Sequence, residues 1–149
     1  MRFHASLDTK ASPDQVLEAL TDFSDRRPLI WEGTLDPDKF EVYEVGDTWA
    51  DVREGSKRPE VWAVEHYDWS EPGRILWTAK ESNFCEPGSG IEVYVTEGES
   101  GGAHIEMDWH RKPSNLKGWM LISPMKLVGP KMIEKYWTKA LDRYAETPS

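Results

Sequence analysis

The run from Asn115 to Ala145, NLKGWMLISPMKLVGPKMIEKYWTKALDRYA, restricts what this chain can fold into more than any other stretch. In its second half Ile133, Trp137, Ala140 or Leu141 and Tyr144 recur at three- and four-residue spacing, and Met132 and Tyr136 broaden the stripe. Lys131, Glu134, Lys135, Lys139, Asp142 and Arg143 occupy the other positions, so the spacing predicts an amphipathic helix with one wet face. The first half is apolar nearly all round, carrying Leu116, Trp119, Met120, Leu121, Ile122, Met125, Leu127 and Val128. Such a segment needs more than one surface to cover it, and the rest of the chain offers strands. A sheet wrapped on a helix around an apolar interior is the expected solution. Pro130 cannot donate to the carbonyl of Lys126 and its ring clashes there, so a kink or break is expected near Val128–Pro130.

Upstream, Arg2 to Lys10 alternates, with Phe3, Ala5 and Leu7 on one side and His4, Ser6 and Asp8 on the other: a half-buried first strand. Ser12-Pro13-Asp14-Gln15 reads as a helix start, with Ser12 as cap, Pro13 at the first helical position and Gln15 closing a capping box. Val16, Leu17, Ala19, Leu20 and Phe23 give that helix its buried side. Ser24-Asp25 starts a second short helical piece carrying Leu29, Ile30 and Trp31, and Gly33 ends it. From Lys39 to Arg111 strand-length segments alternate with turn signals: Phe40–Val45, Thr48–Glu54, Glu60–Trp69, Arg74–Ser82, Gly90–Thr96 and Ala103–Arg111. The last hairpin fixes its faces best. Ile91, Val93 and Val95 share a side with Ala103, Ile105, Met107 and Trp109, leaving Glu92, Thr96, His104, Glu106, Asp108 and His110 on the other. In the middle hairpin the apolar grouping puts Trp62, Val64 and His66 with Ile75, Trp77 and Ala79, a register that a one-residue slip would reverse.

This order of elements, and the segments ASPDQVLEALTDF, RPLIW, VGDTWADVREGS and VWAVEHYDWSEPGRILW ahead of the terminal helix, resembles the START-related superfamily, also labelled SRPBCC or polyketide cyclase/dehydrase and lipid transport. The resemblance spans nearly the whole chain and rests on fold-level signatures, none of them a catalytic motif. It implies an α+β helix-grip fold: a curved antiparallel sheet of about seven strands around a long C-terminal helix, with two short helices between strands 1 and 2. It also implies a cavity between sheet and helix, in which members bind lipids, sterols, polyketides or plant hormones and a minority catalyse cyclisation or dehydration. The departures from smooth members are Gly118, Pro124 and Gly129-Pro130.

At 149 residues the chain is expected to be one such domain, 1–149, around one core. A net charge of −9 and the lack of any Lys/Arg cluster beyond Lys57-Arg58 argue against nucleic acid, which needs a basic footprint. The same balance disfavours an anionic membrane surface. No apolar signal core and no span-length stretch is present, so membrane insertion is not expected and the cytoplasm is the default. The single cysteine, Cys85, excludes an intrachain disulfide and offers no metal spacing. Beside Glu86 its thiol has nothing to activate it. No cofactor is expected.

Eight tryptophans in a chain of this length point to walls that are part apolar and part polar, as in a core or a binding pocket. The candidate ligand-binding set is Trp31, Trp62, Trp77, Met107, Trp109, Trp119 and Met120, with His66 or Arg53 supplying polar contacts. In a partly dry cavity His66 can anchor a carbonyl or hydroxyl or act as a base, against the commoner outcome of a histidine satisfied by its neighbours. Arg53 has Asp51 on its own face as a competing partner. His104, Glu106, Asp108 and His110 share one face at metal-compatible spacing. A solvated outer sheet face is the simpler account, and no metal is expected. The leading expectation is binding of a small hydrophobic or aromatic ligand. The alternatives are a polyketide aromatase/cyclase-type enzyme using the same cavity and a protein-interaction module with a vestigial one. Nothing in the residues names a catalytic group or a protein partner.

Overall fold

Every second residue of Arg2–Thr9 is buried, and this strand, β1, lies at one edge of an antiparallel sheet. The computed structural model describes residues 1–147, which form seven strands, four α-helices and two single-turn 3-10 helices. After β1 come α1 (Pro13–Thr21) and α2 (Arg27–Ile30), then the meander β2 (Glu41–Val45), β3 (Trp49–Ser56), β4 (Val61–Asp68), β5 (Arg74–Ser82), β6 (Gly90–Glu97) and β7 (Ala103–His110). The chain closes with α3 (Leu116–Ile122) and α4 (Met125–Glu146). Strand order across the sheet is β1-β7-β6-β5-β4-β3-β2, so the meander is intact and β1 returns to pair with β7. This is the helix-grip arrangement that the resemblance implies, with two short helices between the first two strands.

Local chemistry sets the boundaries. The Ser12 hydroxyl accepts from Gln15 N at 3.2 Å while Gln15 Oε1 accepts from Ser12 N at 2.9 Å, the reciprocal box expected at the start of α1. Asn115 caps α3 by accepting from Gly118 N at 2.8 Å. Asp142 anchors α4 to the end of β1, accepting from Thr9 Oγ1 at 2.6 Å and from Lys10 N at 2.8 Å.

In two places the structure departs from the sequence expectation. The helical run breaks at Ser123-Pro124, between α3 and α4, and α4 continues through Pro130. Gly129 explains what that pair is for: a Cβ there would stand 2.8 Å from Phe3 Cζ, so the glycine lets α4 rest directly on the ring. The all-round apolar half is also less covered than expected. Leu116, Trp119, Met120, Leu127 and Val128 remain exposed, and only Gly118, Ile122 and Gly129 are fully buried in that part.

The second departure is the middle hairpin. Glu65 pairs across from Ala79 and Tyr67 from Trp77, with a register shift at Val64/Glu65. Ala63, Glu65 and Tyr67 are therefore the buried side of β4, together with Ile75, Trp77 and Ala79, while Trp62, Val64 and His66 take the opposite face. The last hairpin keeps the expected faces, with Val93 opposite Met107 and Ile91 opposite Trp109. Among the described residues no helix is long and apolar enough to cross a membrane.

Candidate functional site

Curvature of the sheet around α4 leaves a cavity of about 400 Å³ between them. Leu20 of α1, Arg27 of α2 and Trp31 just after it line the cavity, and Met125, Ile133 and Trp137 form the α4 wall. The sheet contributes Glu54, Ala63, Glu65, Tyr67, Trp77, Ile91, Met107 and Trp109, and the exposed side chains of Met132 and Tyr136 stand at the opening. Aromatic rings form a continuous series along it. Trp31 lies 5.1 Å from Trp137, Trp137 is stacked 6.3 Å from Trp77, and Trp77 is stacked 5.1 Å from Tyr67. The Trp31 indole N–H is already spent on the carbonyl of Ala19 at 3.1 Å, which locks that ring as a wall. Trp109 is held from behind by Phe3, stacked at 4.7 Å.

Two buried ion pairs supply the polar groups. Arg27, from the start of α2, donates through Nε to Glu54 at 2.7 Å, through Nη1 to the carbonyls of Leu20 and Asp22, and through Nη2 to the Tyr67 hydroxyl at 3.2 Å. Tyr67 in turn donates to the other Glu54 oxygen. The Arg27 guanidinium also lies 4.3 Å from the centre of the Phe23 ring. Burial works against charge on Arg27, but Glu54 and Tyr67 outweigh it and hold the guanidinium protonated. Burial, reinforced by the Glu54 charge, pushes the Tyr67 hydroxyl well above its ordinary range.

The second pair joins Arg111 Nη2 to Glu65 Oε1 at 2.6 Å, with both side chains almost fully buried. Burial raises the Glu65 carboxyl above the usual carboxylate range, and the Arg111 charge opposes that shift without cancelling it. Glu65 Oε2 is buried and accepts no hydrogen bond from any described residue. An oxygen in that state is costly unless something else donates to it.

Of the residues singled out from sequence, Trp31, Trp62, Trp77, Met107 and Trp109 come together around this cavity. Trp62 does so although its side chain takes the other face of β4, with the Arg53 guanidinium over its ring at 4.7 Å. His66, Arg53, Trp119 and Met120 do not join the lining. His66 Nδ1 pairs with Asp51 at 2.8 Å and its ring stacks on Trp49, on the outer face. Trp119 is 58% and Met120 62% exposed on α3. Sequence reasoning missed Arg27, Glu54, Glu65, Tyr67, Arg111 and Trp137. Glu54 and Glu65 stood only as charged residues within strands, which read equally well as a solvated face, Arg27 and Arg111 lie outside the strands, and Trp137 showed only as part of the apolar stripe of the terminal helix.

That solvated reading does hold for the outer face of β1 and β7. His4 contacts Asp108 at 2.9 Å and also Glu106, and His104 contacts Asp8 at 2.8 Å and Glu106 at 2.7 Å, all of them substantially exposed. Among the described residues no group of three or more His, Cys, Asp or Glu side chains could hold a metal ion.

No protein-family profile matches the chain, and no curated protein matches it in sequence. Solved structures do match it in shape. A START superfamily protein from Mycobacterium smegmatis superposes with a TM-score of 0.74 at 9% identity, covering 97% of each chain. Truncated norcoclaurine synthase from Thalictrum flavum gives 0.68 at 13% identity, covering 100% of this chain and 95% of that one. Major latex-like protein 151 from Panax ginseng gives 0.71 at 11% identity, covering 99% and 98%. At such identities the likeness is one of fold.

Proposed function

We propose, taking the START-related helix-grip fold as the premise, that this protein binds a small hydrophobic or aromatic molecule between its sheet and α4. The observation that carries the reading is the cavity of about 400 Å³ walled by Trp31, Trp77, Trp109 and Trp137. That volume lies within the range of roughly 300–1,000 Å³ used for small-molecule sites, and its few polar groups converge among apolar walls as such sites require. Flat indole faces offer a ring-shaped guest large contact area with few rotors to freeze. Met107 and Met125 can adjust to its outline. We propose Trp31, Trp77, Met107 and Trp109 as ligand contacts, with Trp137 and Tyr67 added. A cytoplasmic location is part of the proposal and rests on the sequence alone.

Native mass spectrometry of protein purified from its own cells tests the reading. The expected result is an adduct of small-molecule mass that organic solvent extracts and that Trp109→Ala retains poorly. Protein that stays free of any adduct after incubation with hydrophobic extracts of the same cells would count against it.

A second reading, an aromatase/cyclase-type enzyme, is supported by the Tyr67 hydroxyl resting on Glu54 in the cavity wall. Such a pair can hold and pass a proton beside a bound guest. Tyr67→Phe that keeps the adduct but stops its conversion would favour the enzyme; conversion at an unchanged rate would remove Tyr67 from any such role.

A further inference from the structure

The polar groups of the cavity are not equally satisfied. Arg27 spends its donors on Glu54, on two backbone carbonyls and on Tyr67, and both Glu54 oxygens are engaged. Arg111 donates to Glu65 Oε1 and to the carbonyl of Ser89 at 3.4 Å. Among the charged groups what is left is one acceptor, Glu65 Oε2, on a residue that is 3% exposed and belongs to the cavity lining. That buried oxygen therefore lacks a donor. The site does not lack charge: Arg27 balances Glu54 and Arg111 balances Glu65. A charged guest would lose its hydration with no free counter-ion to meet it.

We propose that the cavity selects a neutral aromatic or polycyclic guest bearing a hydroxyl, which donates its hydrogen bond to Glu65 Oε2, and that Glu65 is the specificity-determining residue. The proposal rests on the cavity-binding reading above and adds the class of guest. A hydroxyl donating to a carboxylate forms one of the stronger hydrogen bonds available, whereas a carbonyl or ether in the same place sets one acceptor against another. The ring system of the guest would lie among Trp77, Trp109 and Trp137. Arg111 holds the Glu65 carboxyl in place from behind.

The test is a set of matched probes followed by tryptophan fluorescence: 2-naphthol, 2-methoxynaphthalene, 2-(aminomethyl)naphthalene and 2-naphthoate. 2-Naphthol is expected to bind at least about tenfold tighter than 2-methoxynaphthalene, with the ammonium and carboxylate probes weaker than 2-naphthol. Equal affinity for 2-naphthol and its methyl ether would overturn the donor rule while leaving the cavity-binding reading intact. Tighter binding of the ammonium or carboxylate probe would overturn the neutral-guest rule. Failure of all four to bind would remove both readings. Glu65→Gln provides an independent check, because Arg111 can only donate and so claims the amide oxygen, turning the NH2 toward the guest. The 2-naphthol preference should then vanish or invert; its persistence would exonerate Glu65. If that variant does not fold, the wild-type ratio decides by itself.

Discussion

Arg111, one residue beyond β7, reaches Glu65 in β4, with β6 and β5 lying between them in the sheet. A flat sheet would keep the two far apart, so the contact records how tightly the strands curl around α4. It also sits in the cavity wall, which ties the fold's curvature to the site. Arg111→Met strands the Glu65 carboxyl in a dry setting and should cost about 3–5 kcal/mol in urea unfolding. The double variant Arg111→Met with Glu65→Leu should recover much of that loss, since two apolar side chains leave no orphaned charge.

Glycine geometry gives a second expectation. In α3, a Cβ on Gly118 would fall directly on the carbonyl oxygen of Phe84, which is backbone and cannot step aside. On Gly129 it would meet the Phe3 ring, which can tilt. Both Ala variants should lower the melting temperature, Gly118→Ala by more, and overpacking of this kind typically costs about 1–3 kcal/mol. A gain at Gly129 through improved helix propensity would show that Phe3 gives way freely.

Much of this fold was legible because most strands obey one rule, apolar residues inward at every second position. Ile91, Val93 and Val95 against Ile105, Met107 and Trp109 leave no choice of face. On the strands the site was legible where it obeys the same rule, at Trp77, Met107 and Trp109, and off the strands at Trp31. In β4 the rule inverts: Glu65 and Tyr67 are buried because Arg111 and Arg27 reach them from elsewhere, while Trp62, Val64 and His66 turn away. Pairing between residues so distant in sequence leaves no local trace. Trp119 and Met120 misled for the opposite reason, being apolar residues on α3 that the sheet does not cover.

The outer face predicts a pH dependence. Hydrogen bonds to Asp108 and Glu106 raise the His4 pKa, and those to Glu106 and Asp8 raise that of His104. The folded state holds these protons more tightly than the unfolded chain does, whose histidines titrate near about 6.5. The stabilisation is therefore complete below that value and is lost as pH rises through the folded values. Glu106 is shifted the other way, lowered by His104 and His4, so its share is present above its unfolded value and lost on acidification. Melting temperature followed across about pH 5 to 8 should fall on the alkaline side. The double variant His4→Gln with His104→Gln should flatten that fall, and added salt should shrink it because the groups are exposed.

Trp109 offers a test that separates wall from core. It stacks on Phe3 and lines the cavity, so Trp109→Ala should cost about 3–5 kcal/mol of stability. It should also weaken any bound aromatic probe. Trp109→Phe should restore most of the stability and only part of the affinity. Recovery of both in full would make the residue a core filler and nothing more.

The account depends most on a guest entering between the sheet and α4, and the tryptophans report on that directly. Indole N–H signals in a 15N-labelled sample, titrated with 2-naphthol, distinguish rings of the cavity from rings outside it. Trp77, Trp109 and Trp137 should shift together and saturate, while Trp49 and Trp119 stay where they are. Shifts confined to Trp119, or no saturable change at Trp77, Trp109 and Trp137, would contradict it.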